Sequence, residues 1–194
     1  MDYALELFFD PASEARVRRY WEAVRLQTGN TYLESVGSRP HVTVGVFTDI
    51  DTGRACGLLR EAAANLAVFP LRFQSVGVFT YPKAWVWLAP VVTAALLDLH
   101  ASLHAAFAFC GGEASAYYRP GAWVPHCAVA TTPDIGALGP AMQTLLQMFE
   151  PFTARAEEIA WVEIASPVRV IEMMRLLPGG EDAQPEPFQQ KAGA

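Results

Sequence analysis

The stretch Arg39-Pro40-His41-Val42-Thr43-Val44-Gly45-Val46-Phe47 (RPHVTVGVF) sets how the chain is read. It is answered in the second half by Trp123-Val124-Pro125-His126-Cys127-Ala128-Val129-Ala130 (WVPHCAVA). In each, a proline precedes a histidine that opens a short apolar run. The run from His41 to Phe47 is rich in β-branched residues and reads as a strand, and Trp123 to Ala130 reads the same way. Strand side chains alternate between faces. His41 and Thr43 therefore share one face, as do His126 and Ala128, while Val42, Val44 and Cys127 turn to the other.

Working outward, Tyr3 to Phe9 (YALELFF) reads as a buried strand. Pro11 opens a helix with Val17, Tyr20, Trp21 and Val24 at helical spacing, and Gly29-Asn30 close it. After the first histidine strand, Asp51 or Thr52 caps a helix carrying Leu58, Leu59, Ala62 and Leu66. Leu71 to Phe79 and Trp85 to Leu88 predict two strands joined by a turn around Pro82. Thr93 starts a helix with Leu96, Leu99, Leu103 and Phe107 on one face, stopped at Gly111-Gly112. The second histidine strand leads to a helix with Leu138, Met142, Leu145 and Phe149 on one side. Two last strands follow, near Phe152 to Ala165 and Val168 to Leu177. Residues 178–194, rich in Gly, Pro, Gln and Glu, predict a disordered tail. The order βαβαββαβαββ, with its twofold "Pro, histidine strand, helix, strand" unit, predicts a duplicated α+β fold with two similar lobes over residues 1–177. No glycine-rich loop precedes a helix, which argues against a phosphate loop or dinucleotide site.

The bulk properties narrow the function. The 194 residues are 52% hydrophobic and 18% charged, enough for a substantial core, and the net charge is −6. An acidic surface is unsuited to coating long nucleic acid, whose phosphates demand cations. A small nucleotide or an RNA end in a local pocket remains compatible. Cys56, Cys110 and Cys127 are too scattered for a disulfide framework or zinc site, and suit reduced thiols in the cytoplasm. Met1 to Phe9 has no basic flank and reads as a strand, not a signal peptide. The apolar run Ala84 to Leu97 is interrupted by Pro90 and is shorter than the roughly 20 residues of a membrane span. A soluble, cytoplasmic monomer with no membrane partner is expected.

A histidine and a hydroxyl on one strand face make a usable phosphate site. Imidazole exchanges a proton near neutral pH, and a hydroxyl donates a hydrogen bond to a phosphoryl oxygen. His41-Val42-Thr43 and His126-Cys127-Ala128 resemble the paired His-x-Thr/Ser motifs of the two-histidine phosphoesterases, above all the 2'-5' RNA ligase-like branch. Val76-Gly77-Val78-Phe79 followed by Trp85-Val86-Trp87-Leu88 is similar to that branch's middle hairpin, and the likeness runs from Tyr3 to Leu177. The resemblance implies a bilobal fold with two antiparallel-rich sheets flanked by helices around a water-filled cleft. It also implies hydrolysis or transfer at 2',3'-cyclic or 2'-5' phosphodiester bonds without metal or cofactor. His41 and His126 are then the acid and base, with Thr43 on the phosphate. Ala128 stands where the family carries a hydroxyl. That departure motivates an alternative: a weakened or non-catalytic relative that binds a nucleotide or RNA end in the same cleft.

Other residues admit plainer readings. His100 and His104 have a metal-like spacing of four but no third ligand in sequence. Tyr117, Tyr118 and Arg119 precede the second motif; Tyr118 and Arg119 are cleft candidates, an aromatic to stack on a base and a cation to meet phosphate. Phe79, Trp85 and Trp87 read as core or cleft wall. Cys127, turned away from His126, reads as a buried thiol.

Overall fold

The computed structural model describes residues 1–132 and 135–180, with Pro185 and Pro187. Strand β1 (Asp2–Phe9) runs into α1 (Pro11–Thr28) and the short α2 (Tyr32–Ser35) before the first histidine strand, β2 (His41–Thr48). Helix α3 (Thr52–Ala63) leads to the hairpin β3 (Phe69–Phe79) and β4 (Ala84–Pro90). Helix α4 (Ala94–Ala108), β5 (Glu113–Ala114) and a 3-10 turn (Ala116–Tyr118) precede β6 (Cys127–Thr132). Then come α5 (Leu138–Met148), β7 (Phe152–Glu163) and β8 (Arg169–Arg175).

Local chemistry sets the helix ends. The Asp10 carboxylate accepts from the Ser13 backbone N–H, with Pro11 in the first turn, and Gly29 at φ 73° closes α1. Asp51 and Thr93 cap α3 and α4 by accepting from Arg54 and Leu96. Each satisfies a backbone donor that a helix start leaves open.

The strands form one antiparallel sheet in the order β5-β2-β1-β7-β3-β4-β6. The two antiparallel arrays expected from sequence are continuous through β7. One edge of β7 is shared, by β3 along Phe152–Ala156 and by β8 along Glu158–Glu163, while its other edge takes β1. The duplication is visible in the pairing. Read as β1-α1-β2-α3-β3 and β4-α4-β6-α5-β7, the halves have exchanged their last strands: β1 pairs with β7, and β4 with β3. The helices are exchanged too, since α1 packs on α5 and β6, and α4 on α3 and β2. Even an irregularity repeats. Leu5 opposes Gly45 and Glu6 opposes Thr43, so Val44 is an extra residue. Val86 opposes Ala130 and Trp87 opposes Ala128, which leaves Val129 in the same place. A bulge of this kind bends its strand and re-aims the side chains beside it. The sheet curls far enough that β2 and β6, far apart in its strand order, come into contact. A continuous apolar core that includes Phe9, Trp21, Phe47, Phe73, Phe107 and Trp161 fills the fold.

Three features depart from the sequence reading. The strand expected from Trp123 begins only at Cys127, because the chain turns first, with Ala122 and Trp123 both donating to the Arg119 carbonyl. Pro125, which lacks a donor, then delays pairing. Elements α2, β5 and the 3-10 turn are too short to show periodicity. The chain stays packed into the first residues of the expected tail: Leu177, just before it, exchanges hydrogen bonds with Leu66 and Val68, and a Cβ on Gly179 would run into the Val68 carbonyl. From residue 181 on, apart from Pro185 and Pro187, the tail lies outside the described residues. Among the described residues no helix is long and apolar enough to cross a membrane.

Two indoles tie the halves together. Trp21 Nε1 on α1 donates to the Ala128 carbonyl at 2.9 Å, and Trp123 Nε1 donates to the Thr43 carbonyl at 3.0 Å. Both carbonyls accept from the opposite half, at the residue two after each histidine. Trp123→Phe should cost about 1–3 kcal/mol for the unsatisfied buried carbonyl alone, read as a lower urea midpoint at unchanged slope. An unchanged midpoint would show the bond to be incidental.

Candidate active site

Both histidines stand at strand mouths, His41 as the first residue of β2 and His126 just ahead of β6. Each ring is held the same way. His41 Nδ1 lies 2.6 Å from the Arg39 carbonyl and His126 Nδ1 lies 2.8 Å from the Val124 carbonyl. A carbonyl only accepts, so each Nδ1 carries the proton. In the neutral ring Nε2 is then the open base. The structure brings the two motifs together. The Cys127 thiol, next to His126, hydrogen-bonds with the backbone of His41, and the charge of His41 is felt at the His126 ring.

The surroundings of the two rings differ. His126 sits edge-on to Phe79, ring centroids 4.9 Å apart, and 5.9 Å from Trp87. Trp87 can lie there because Gly77 is bare; a Cβ on Gly77 would run into the indole. Burial among these rings holds the His126 imidazole below its ordinary value; the Val124 carbonyl opposes the shift and His41 adds to it. His41 instead meets Glu6, whose Oε1 is 3.4 Å from Nε2. Glu6 is buried, and burial pushes its carboxyl above the usual carboxylate range against the pull of His41 and Arg39. Glu6 is missing from the sequence reading, although it is the one charged residue inside Tyr3 to Phe9.

Thr43 is buried and its hydroxyl meets the phenol of Tyr118, which burial pushes up to about 12. Tyr118 thus reaches the histidine strand through its hydroxyl, and its carbonyl is held by His100 Nε2 at 2.9 Å. Arg119 Nε donates back to the Ala114 carbonyl. Arg39 is taken up by Glu14 at 2.8 Å and Glu158 at 3.3 Å. Thr131, a potential substitute for the hydroxyl missing at Ala128, donates to the Ala84 carbonyl. His100 stacks on Trp123 at 4.0 Å and serves packing; no group of three metal-ligating side chains occurs among the described residues. Cys127 is fully buried and its thiol is pushed up to about 12, the environment of an inert thiol and not of a nucleophile.

Phe79→Ala should admit water to His126 and raise its titration midpoint toward that of a free imidazole, because desolvation is the main cause of the depression. Histidine NMR across pH 5 to 8 reads the shift; a midpoint that stays or falls would assign the depression elsewhere.

The same arrangement of elements occurs in solved structures. A crystal structure of a phosphoesterase superposes with TM-score 0.57 at 16% identity, over 90% of this chain and 97% of that one. TT0787 of Thermus thermophilus matches with TM-score 0.57 at 18% identity, over 93% and 100%. E. coli LigT complexed with 3'-AMP matches with TM-score 0.55 at 16% identity, over 90% and 97%. At these identities the likeness is one of fold. No curated protein matches the chain in sequence. The family model of the 2'-5' RNA ligase superfamily does match, over residues 9–166 and so across both histidine motifs, and the chain belongs to that superfamily.

Proposed function

We propose that the protein is a phosphodiesterase acting on 2',3'-cyclic or 2'-5' phosphodiester bonds of RNA ends or small nucleotides, by metal-independent two-histidine catalysis. The observation that carries the reading is the repeated ring lock: each Nδ1 is spent on the carbonyl two residues back, which leaves each Nε2 for proton transfer. One Nε2, unprotonated, removes a proton from water or a ribose hydroxyl, and that oxygen attacks phosphorus. The other, protonated, supplies the departing oxygen as the old P–O bond breaks. Thr43, with Tyr118 behind it, donates to a phosphoryl oxygen and stabilises charge that builds there. Superfamily membership supports the reaction class, and the 3'-AMP in the LigT structure fits a nucleotide ligand. The net charge of −6 favours a short ligand over long nucleic acid. The three buried free cysteines suit a monomer working in reducing cytoplasm.

A second reading rests on Ala128. Its methyl group cannot donate to phosphate, so a cleft that binds a nucleotide or RNA end without turning it over fits that residue.

Replacing His41 or His126 with Ala should each cut turnover of a 2',3'-cyclic nucleotide by about 100- to 10,000-fold, in protein whose circular dichroism is unchanged. Wild-type activity should persist in excess chelator, since both proton carriers are imidazoles. Retention of more than about a tenth of the rate would make that histidine a bystander. Binding of the nucleotide with no turnover at any pH would establish the second reading.

Ala128→Thr should restore a donor worth about 1.5–3 kcal/mol to a charged partner, raising turnover roughly 10- to 100-fold if the bond strengthens in the transition state. If it is equally strong in the ground state, only KM should fall. No change in either would place residue 128 off the phosphate.

A further inference from the structure

The pseudo-twofold pairing gives each histidine strand a cross-strand neighbour at the same register position. Opposite Thr43 that neighbour is Glu6; opposite Ala128 it is Trp87. The same place in the two halves is filled by a carboxylate beside one imidazole and an indole beside the other. We propose that Glu6 breaks the symmetry of the site: it is the positioning residue that makes His41 the proton donor and leaves His126 as the base. The inference rests on the reaction proposed above and assigns its two roles.

The geometry carries the assignment. His41 Nδ1 is committed to the Arg39 carbonyl, so the proton that can move sits on Nε2, the nitrogen that Glu6 Oε1 approaches to 3.4 Å. Buried Glu6 and half-buried His41 share a contact in which a carboxylate with an imidazolium, or a carboxylic acid with an imidazole, holds one exchangeable proton. His126 meets aromatic rings instead. Phe79 and Trp87 pack against it and keep water away, and that desolvation favours its uncharged form. The other groups facing the pair do not reverse this. Arg39 is bound to Glu14 and Glu158, the Tyr118 phenol and the Cys127 thiol stay protonated, and His126 is the partner in the reaction. In the reaction His126 Nε2 takes the proton of the attacking hydroxyl and the new O–P bond forms. The old P–O bond breaks, and its oxygen takes the proton from His41 Nε2. The next turn requires only that protons exchange with solvent, with no other reactant.

The test reads protons and rate together. In wild-type protein at about pH 6.5, the ordinary midpoint of a free imidazole, 15N NMR should show Nε2 protonated on His41 and unprotonated on His126. Glu6→Gln keeps the shape and removes the charge. It should move His41 Nε2 toward the unprotonated signal. It should also pull the alkaline limb of the kcat/KM profile down by about one pH unit or more, so that activity at pH 8 falls about tenfold further than at pH 6. The reverse proton placement in wild type would overturn the proposal, and needs no variant that folds. So would a folded Glu6→Gln protein whose His41 signal and alkaline limb stay in place. Wild-type protein with the expected proton placement that hydrolyses no diester would overturn the proposed reaction and leave the pair standing.

Discussion

A backbone carbonyl inside an apolar core must find a donor or cost the fold about 1–3 kcal/mol. Where β2 and β6 meet, this protein answers that demand with indoles. The Thr43 and Ala128 carbonyls each take an N–H from a tryptophan of the other half. Each bond fixes a strand two residues past its histidine, and the Nδ1 bond to the carbonyl two residues before it then orients each ring. Trp123 is itself clamped by the stacked ring of His100, whose Nε2 holds the carbonyl of Tyr118. The chain of contacts therefore runs from α4 through Trp123 to Thr43, and from the same histidine to the phenol that meets the Thr43 hydroxyl.

Duplication explains why two imidazoles arrive at one place with matched tautomers. The ring lock to residue i−2, the bulge at i+3 and the indole on the carbonyl at i+2 all occur twice. Acid–base chemistry needs more than a matched pair, because two identical imidazoles would share the proton evenly. The two halves diverge where the difference counts. One imidazole is set against a carboxylate and the other against two aromatic rings. One strand keeps a hydroxyl at i+2 and the other has a methyl group. A symmetric scaffold that holds unlike environments is how like residues come to have unlike proton affinities.

The elements of the fold were legible wherever period and punctuation agreed. Pro11 and Gly29 bracket α1, Thr93 caps α4, and the β-branched run after His41 is β2. The proline-histidine starts were enough to place both motifs in corresponding halves, since local sequence carries alternation and capping directly. Short elements such as α2 and the 3-10 turn left no such signal. The mouth of β6 was misplaced because Trp123, Val124 and Pro125 have strand-like composition while the backbone is still turning about Arg119.

Local sequence was thus enough to single out the two histidine motifs and to pair them as a duplication, because alternation along a strand needs no distant partner. What each of them faces is a matter of tertiary structure. Register with β1 puts Glu6 against Thr43 and within reach of His41, register with β4 puts Trp87 beside His126, and the turn after β5 brings the Tyr118 hydroxyl to that of Thr43. These neighbours come from distant parts of the chain, and pairing register and the curl of the sheet are settled by packing of the whole core, which no local window of sequence contains.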